Sequence, residues 1–397
     1  MIVIDFFHWT AQGDWKFDPE LWPDPAAMVK ELKEMGTELM VSIWPTVEKG
    51  SENFEELQEL GYLIRTDAGP RLGIKNQDTY YDATNPDARK YVWSKIKQNY
   101  YDYGIKLYWL DECEPEITRY PNENIRFYLG SQKEIGNLYP RENSRMLYEG
   151  RKAEGETEIM SLSRCAWAGS QRYGALVWTG DISSDFPTLK NQIANALNMS
   201  LSGMPWWTTD IGGFHGGNGE DPMFRECLVR WFEFATFCPV LRMHGFREPK
   251  VISAPGKKFV MGDASAWKYT SGSPNELWSY GKDIYEILCY YADLREKMRP
   301  YVHGLMAEAH EKGTPIMRPL FYDFSEDAKA WEIEDEYMFG PDYLVAPITE
   351  MDCRKRSVYF PKGTWKNIHT GEVVVSKGGC TCEVDAALKF MPVYKIV

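Results

Sequence analysis

The chain has 397 residues, 44% of them hydrophobic and 26% charged, a composition that folds into a globular protein with a large core and excludes a peptide ligand or a lone binding module. Its 45 basic and 58 acidic residues leave a formal charge of −13, which repels phosphate backbones and anionic lipid. No apolar run approaches the roughly 20 residues that span a bilayer, so nucleic acid and membrane are both set aside as partners.

Met1 leads straight into Ile2-Val3-Ile4-Asp5-Phe6-Phe7, which reads as a buried strand starting at residue 2. After a loop bearing Trp9, Trp15 and Trp22, Asp24-Pro25 supplies an N-cap and a first-turn proline for a helix that runs to Met35 and stops at Gly36. The apolar run Leu39 to Trp44 ends at Pro45, completing a strand, helix and strand at the spacing of a parallel βαβ unit. Residues 46–84 form a short, polar, Gly-bearing excursion after this strand. Asn85-Pro86 then opens a helix that ends near Gly104 and leads to Ile105–Leu110 and Asp111. A helix around Arg141–Ala153 leads to Ile159–Ser163 and Arg164, and the run Ala175–Trp178 ends at Gly180-Asp181. Helix Pro187–Leu201 leads to Pro205–Thr209 and Asp210, and helix Met223–Phe237 leads to Val240–Met243 and His244.

Strand candidates thus begin near residues 2, 39, 105, 159, 175, 205 and 240, most with a polar or ionisable residue at the end, where an α/β barrel assembles its active site. The Gly-rich phosphate turn expected after the first strand of a doubly wound sheet is absent, which favours a (β/α) barrel. A long helix near Asp283–His310 is expected on its outside. From Arg318 short runs alternate with Gly and Pro turns, the texture of a small antiparallel β-sandwich. The expected domains are therefore a catalytic barrel over 1–317 and a β domain over 318–397.

The eight cysteines show no framework spacing and no signal peptide precedes them, which fits a reduced cytoplasmic interior. Cys380 and Cys382 form an isolated C-x-C without a second ligand pair, so no metal site is expected there. Aromatic content is high, with 15 Trp, 24 Tyr and 18 Phe, as expected of either a sugar-stacking site or a large core.

The six histidines form no H-E-x-x-H, and neither a G-x-S-x-G elbow nor a phosphate cradle is present. What remains is carboxylates at strand ends: Asp5, Asp111 with Glu112 and Glu114, Asp181 and Asp210. Singly, each reads as a helix cap or a loop charge. Placed at successive strand ends they match the need of glycoside hydrolysis for one carboxylate as nucleophile or base and another as acid.

The segment Trp109-Leu110-Asp111-Glu112-Cys113-Glu114-Pro115 resembles the W-x-D-x-x-E-P nucleophile motif of glycoside hydrolase family 31. The stretch from Arg164 through Gln171-Arg172-Tyr173 to Trp178-Thr179-Gly180-Asp181 resembles the family's segment from substrate-binding arginine to acid/base aspartate. Trp207-Thr208-Thr209-Asp210-Ile211-Gly212-Gly213-Phe214, Arg242-Met243-His244, Val3-Ile4-Asp5 and Trp44-Pro45 match further blocks in order. The likeness continues through Tyr343–Ile348 and Pro361-Lys362-Gly363-Thr364-Trp365 into the family's C-terminal β domain.

This resemblance implies a retaining α-glycosidase that needs no cofactor or metal. Asp111 is the implied nucleophile, Asp181 the acid/base, and Glu114 tunes Asp111 or anchors a neighbour. Asp5, Arg164, Asp210 and His244 are expected to hold sugar hydroxyls, with Trp44, Trp178, Trp207 and Phe214 lining the site. Retention predicts carboxyl groups of Asp111 and Asp181 separated by about 5–5.5 Å. The residues around Asp181 and Asp210 look more like the α-xylosidase branch than the α-glucosidase branch. Rejecting the hydroxymethyl group of glucose then calls for a side chain filling its volume, from Phe6, Phe7, His8 or Trp9. Within the family, a β-sandwich and a first strand and helix precede the strand ending at the Asp5 position, so the chain is expected to be a barrel lacking its first strand and helix. Alternatives are an α-glucosidase, transglycosylase or lyase on the same scaffold, or a sugar-binding fragment without turnover. The expected partner is an oligosaccharide or glycoside, and a homo-oligomer is left open.

Overall fold

The computed structural model describes residues 1–70, 78–117, 120–252 and 270–397. The chain divides into two compact units, Met1–Val177 and Trp178–Val397.

The first unit is built on five parallel strands, β1 (Ile2–Ile4), β2 (Leu39–Ile43), β3 (Leu107–Leu110), β4 (Ser161–Ser163) and β5 (Ala175–Val177), which lie side by side in chain order. The register pairs Val3 with Met40, Val41 with Tyr108 and Leu110 with Ser163. Helices α1 (Pro25–Glu34), α2 (Pro86–Asn99) and α3 (Tyr139–Ala153) lie in the connections. Parallel neighbours in sequence order joined through helices are the wall of a β/α barrel. All five positions of β2 are buried, as a parallel strand covered on both faces must be.

The starts of α1 and α2 follow from local chemistry. Asp24 Oδ1 accepts the Ala27 N–H at 2.9 Å and Asn85 Oδ1 that of Asp87 at 2.9 Å, with Pro25 and Pro86 needing no partner in the first turn. On α2 the repeat Ala88, Val92, Ile96 faces the core and is fully buried; removing Val92 or Ile96 from water contributes about 1.5–3 kcal/mol each. That helix stops at Asn99, short of the expected Gly104, and a 3₁₀ turn over Tyr101–Tyr103 carries the chain to Gly104 at φ 99. The excursion over 46–84 is less polar in effect than its composition, because Phe54, Leu57, Ile64, Tyr80 and Tyr81 join the core; residues 71–77 lie outside the described residues.

The second unit contains α4 (Phe186–Leu201), β6 (His215–Asn218), α5 (Pro222–Thr236), β7 (Phe246–Ile252), β8 (Thr270–Ser273) and the long α6 (Lys282–Lys312). The strands expected near residues 205 and 240 are not regular strands. Their segments meet through one parallel bridge, Ile211 to Met243, because Gly212 and Gly213, at φ 83 and 76, turn the chain at once. A sheet of β6, β7 and β8 follows instead, hidden in the sequence because His215-Gly216-Gly217-Asn218 has no apolar alternation. Arg295 of α6 donates to the carbonyls of Thr236, Cys238 and Pro239 at 2.8, 2.7 and 2.6 Å, satisfying the end of α5.

After α6 comes a six-stranded antiparallel sheet in the order Met317–Pro319, Tyr337–Phe339, Tyr343–Val345, Val393–Ile396, Gly363–Asn367, Val373–Ser376. A separate ribbon pairs Lys355–Phe360 with Cys380–Asp385. Met338, Leu344, Trp365 and Tyr394 of the sheet share a core with Val358, Phe360 and Val384 of the ribbon, giving the two layers of a small β domain. Among the described residues no helix is long and apolar enough to cross a membrane.

Candidate active site

Parallel strands present their C-terminal ends on one side, so the residue after each strand enters a common neighbourhood. In the first unit Asp5 follows β1, Trp44 follows β2, Asp111 follows β3 and Arg164 follows β4. Two backbone bonds extend the ladder past the strand ends, Asp111 N–H to Ile43 O at 3.2 Å and Arg164 N–H to Leu110 O at 3.0 Å. Asp5 and Asp111 share a local arrangement in which one carboxylate oxygen accepts the next residue's N–H, at 2.7 and 2.9 Å. Phe7 and Glu112, just beyond, sit at φ 61 and 52, in the left-handed region that side chains disfavour.

Arg164 gathers the acids of this unit. Its Nη1 lies 3.2 Å from Asp111 and 3.1 Å from Glu112. Its Nε and Nη2 form a fork on Glu114 at 2.6 and 3.1 Å, and Nη2 reaches Glu116 at 3.4 Å. One guanidinium thus serves four carboxylates, with Asp111 and Glu112 nearly buried and Glu114 and Glu116 facing water. Phe6 stacks flat on Trp44, centroids 5.3 Å apart at 1°, and Trp9 packs at 5.9 Å from Trp44. Of the residues considered for filling sugar volume, His8 is tied into the scaffold: its ring nitrogens meet Asp5 O at 2.8 Å and the Tyr100 hydroxyl at 2.9 Å. Burial lowers its pKa to about 4.

In the second unit Asp210 is fully buried and its Oδ1 is paired with Arg242. Burial pushes its pKa up to about 6, with the Asp181 charge adding to the rise and Arg242 opposing it. The guanidinium of Arg242 also lies 5.8 Å from the ring centre of buried Trp178, within reach of a cation–π contact. Asp181 is partly exposed, with Oδ2 at 4.0 Å from His215 Nε2. Its loop is held by Ile182 O, which accepts the N–H groups of Phe214 and His215 at 2.8 and 2.9 Å. This approach requires glycine at 213, since a Cβ there would sit 2.4 Å from Ser183 O. Gln192 of α4 accepts from Thr179 at 2.7 Å and Thr209 at 3.5 Å, linking the segments that carry Asp181 and Asp210.

His244 is half-buried, its ring stacked on Phe214 at 5.4 Å and 19°. Burial first, then Arg242 and Arg247, hold its pKa well below the usual histidine value, so the imidazole is neutral. Trp207 is packed into the hydrophobic core, 6.4 Å from the ring of Phe234. Asp111, Glu114 and Arg164 therefore come together in one unit; in the other, Trp178 and Asp210 meet at Arg242, Asp181 stands near enough for its charge to act on Asp210, and Trp207 sits on the core side.

Sequence reasoning assigned no role to Glu116, Arg242, Gln192, His215 or Arg247. Arg247 is the largest omission: its guanidinium donates to the carbonyls of Ile211, Gly213 and Gly212 at 2.8, 2.8 and 3.2 Å, and to Ser184 and Asn275. The one signal available was a third ionisable residue in Arg242-Met243-His244-Gly245-Phe246-Arg247.

The family model for the glycosyl hydrolases family 31 TIM-barrel domain matches residues 1–305, and that for the family 31 C-terminal domain matches residues 313–395. A protein of Pseudescherichia vulneris described as an uncharacterized family 31 glucosidase is 56% identical over 253 residues, 63% of this chain and 48% of that protein. The alpha-xylosidase of Saccharolobus solfataricus is 35% identical over 402 residues, 99% of this chain and 50% of its own length. A crystal structure of a family 31 alpha-xylosidase from a soil metagenome, complexed with xylose, superposes with a TM-score of 0.93 at 52% identity, covering 100% of this chain and 58% of that one. The chain thus spans about half the length of the curated relatives it matches. With its parallel β/α wall followed by a two-layered β domain, it belongs to glycosyl hydrolase family 31.

Proposed function

We propose that this chain carries the catalytic machinery of a retaining α-glycosidase acting on terminal α-xylosides. The observation that carries the reading is the Arg164 cluster, which keeps a nearly buried aspartate paired at the end of a barrel strand. Asp111 is the nucleophile. Its Oδ attacks the anomeric carbon as the bond to the leaving oxygen breaks, and Arg164, with Nη1 at 3.2 Å, pairs with the carboxylate and aims it. Glu114 takes the other edge of the same guanidinium and orients it, so it acts on Asp111 through Arg164. Asp181 protonates the departing oxygen and afterwards takes a proton from the water that attacks the glycosyl-enzyme, which releases Asp111. Its partial exposure suits a group that must meet both leaving group and water.

Asp5, Asp210 and neutral His244 accept or donate to sugar hydroxyls, and Trp44 and Phe214 offer apolar surface, while the buried Trp178 and Trp207 support the wall from within. Preference for xylose is supported by the Phe6–Trp44 stack beside Asp5, a rigid block able to exclude a hydroxymethyl group, and by likeness to two alpha-xylosidases. The boundary between catalytic and β domains is placed near residue 317.

The test compares hydrolysis of 4-nitrophenyl α-xyloside, α-glucoside and α-galactoside. A glucoside preference of about tenfold or more ends the xyloside reading. An α-glucosidase is then the reading left, and the 56% identical relative described as a glucosidase is the observation in its favour. Asp111→Ala is expected to abolish turnover and retain xylose binding; a parent that binds sugar without turnover would identify a binding fragment.

A further inference from the structure

Two cysteines stand beside the Arg164 cluster with no part in the chemistry above. Cys113 lies two residues after Asp111 and Cys165 directly after Arg164, on the loops leaving the adjacent strands β3 and β4. The pairing of Leu110 with Ser163 brings the two loops together and sets the sulfur atoms 3.5 Å apart. A carboxylate oxygen of Glu114 joins them, so that one ligand atom from each residue lies within 4.8 Å of the others. This is the one such ligand group among the described residues, and it is absent from any local sequence spacing because its members come from two strands.

We propose that Cys113, Cys165 and Glu114 form a binding site for a soft divalent cation of the zinc or cadmium type. Two thiolates at about 2.3 Å from a tetrahedral zinc lie about 3.8 Å apart, so the sulfurs already stand close to the required edge, whereas a disulfide would need them to close much further. The carboxylate of Glu114 supplies the third ligand and leaves a fourth position open. Cys113 is buried, while Cys165 and Glu114 are partly exposed and give the ion its way in. Four carboxylates around a single guanidinium make the neighbourhood attractive to a cation. Binding displaces the two thiol protons to solvent and forms two metal–sulfur bonds, with no change of oxidation state. Cys380 and Cys382, with sulfurs 4.0 Å apart, are a second thiol pair but lack the third ligand.

Occupancy draws Glu114 away from the fork it makes on Arg164. If the proposed glycosidase function holds, the ion therefore inhibits; the binding itself does not rest on that function. The probe is Cd²⁺ added to the full reduced chain, read by the ultraviolet thiolate-to-cadmium charge-transfer band. The band is expected to saturate at one equivalent, to persist in the Cys380→Ser/Cys382→Ser variant, and to vanish in Cys165→Ser that keeps the parent's circular dichroism. In the unmutated chain, Zn²⁺ at about ten times its Kd should slow alkylation of Cys165 about tenfold. A band unchanged in Cys165→Ser, a band lost with Cys380 and Cys382, or alkylation indifferent to Zn²⁺ overturns the site, whatever the activity measurements show.

Discussion

Replacing Asp210 with asparagine is expected to make the protein more stable at neutral pH while weakening sugar binding. An unperturbed aspartate titrates at 3.8, whereas burial raises Asp210 to about 6 in the folded chain. Below about 3.8 the carboxyl is protonated in both states and has no linkage effect. As pH rises from there to about 6 the unfolded chain releases its proton first, so folding loses stability, and above about 6 the whole cost is present. The interval from 3.8 to about 6, at 1.36 kcal/mol per pH unit, amounts to about 3 kcal/mol. Asparagine has no proton to lose and nearly the shape of the protonated acid. Arg242 faces a neutral partner in the variant just as in the acidified parent, so its burial adds little to the difference. Desolvating the pair costs more than the attraction returns, as for many buried ion pairs. Equilibrium urea unfolding of parent and Asp210→Asn from about pH 4 to about pH 7.5 should give near-equal stability at the acid end and an advantage of about 3 kcal/mol for the variant at the other. A variant equal or inferior to the parent at neutral pH, or a difference that does not vary with pH, would refute the reasoning.

Arg164→Lys keeps the charge but cannot fork across Glu114 while reaching Asp111 and Glu112; turnover of the xyloside should fall by about 10²-fold or more, and unchanged steady-state kinetics would remove Arg164 from its organising place. Asp181→Ala should slow cleavage of an unactivated disaccharide by about 10²–10⁴-fold and that of the nitrophenyl glycoside's first step far less, since nitrophenolate departs without protonation; equal losses on both substrates would contradict its assignment as acid. Gly213→Ala forces a methyl group against Ser183 O at a backbone angle that alanine disfavours. Its thermal midpoint should drop by the equivalent of about 1–3 kcal/mol, and an unchanged midpoint would show that the loop yields. Arg247→Met strands buried carbonyls at 211–213 and should destabilise by about 3 kcal/mol or more, measured by the same unfolding assay.

The β/α alternation was legible in the sequence because each signal is local. Asp24-Pro25 and Asn85-Pro86 cap their own helices, and Leu39–Ile43 is apolar at nearly every position because both faces are covered. The acids at 5, 111, 181 and 210 were legible for the same reason, each ending an apolar run or following it closely. The bridge between Ile211 and Met243 and the β6–β8 sheet were not, because glycine-rich segments carry no period and pair only where the rest of the unit holds them. Nor could the sequence rank the aromatic residues: Trp44 stacks on Phe6 beside Asp5, whereas Trp207 is spent in the core.

By itself, then, the sequence determined the order of strands and helices, the family motifs and the carboxylates available for chemistry, since these depend on spacing and on residues near one another in the chain. Only the tertiary structure decided that one arginine serves four acids, that Arg247 pins the turn after Asp210, and that two cysteines 52 positions apart meet at 3.5 Å. Those contacts follow from which parallel strands become neighbours and in what register, and that is chosen by burial summed over the whole unit, a quantity no short stretch of residues contains.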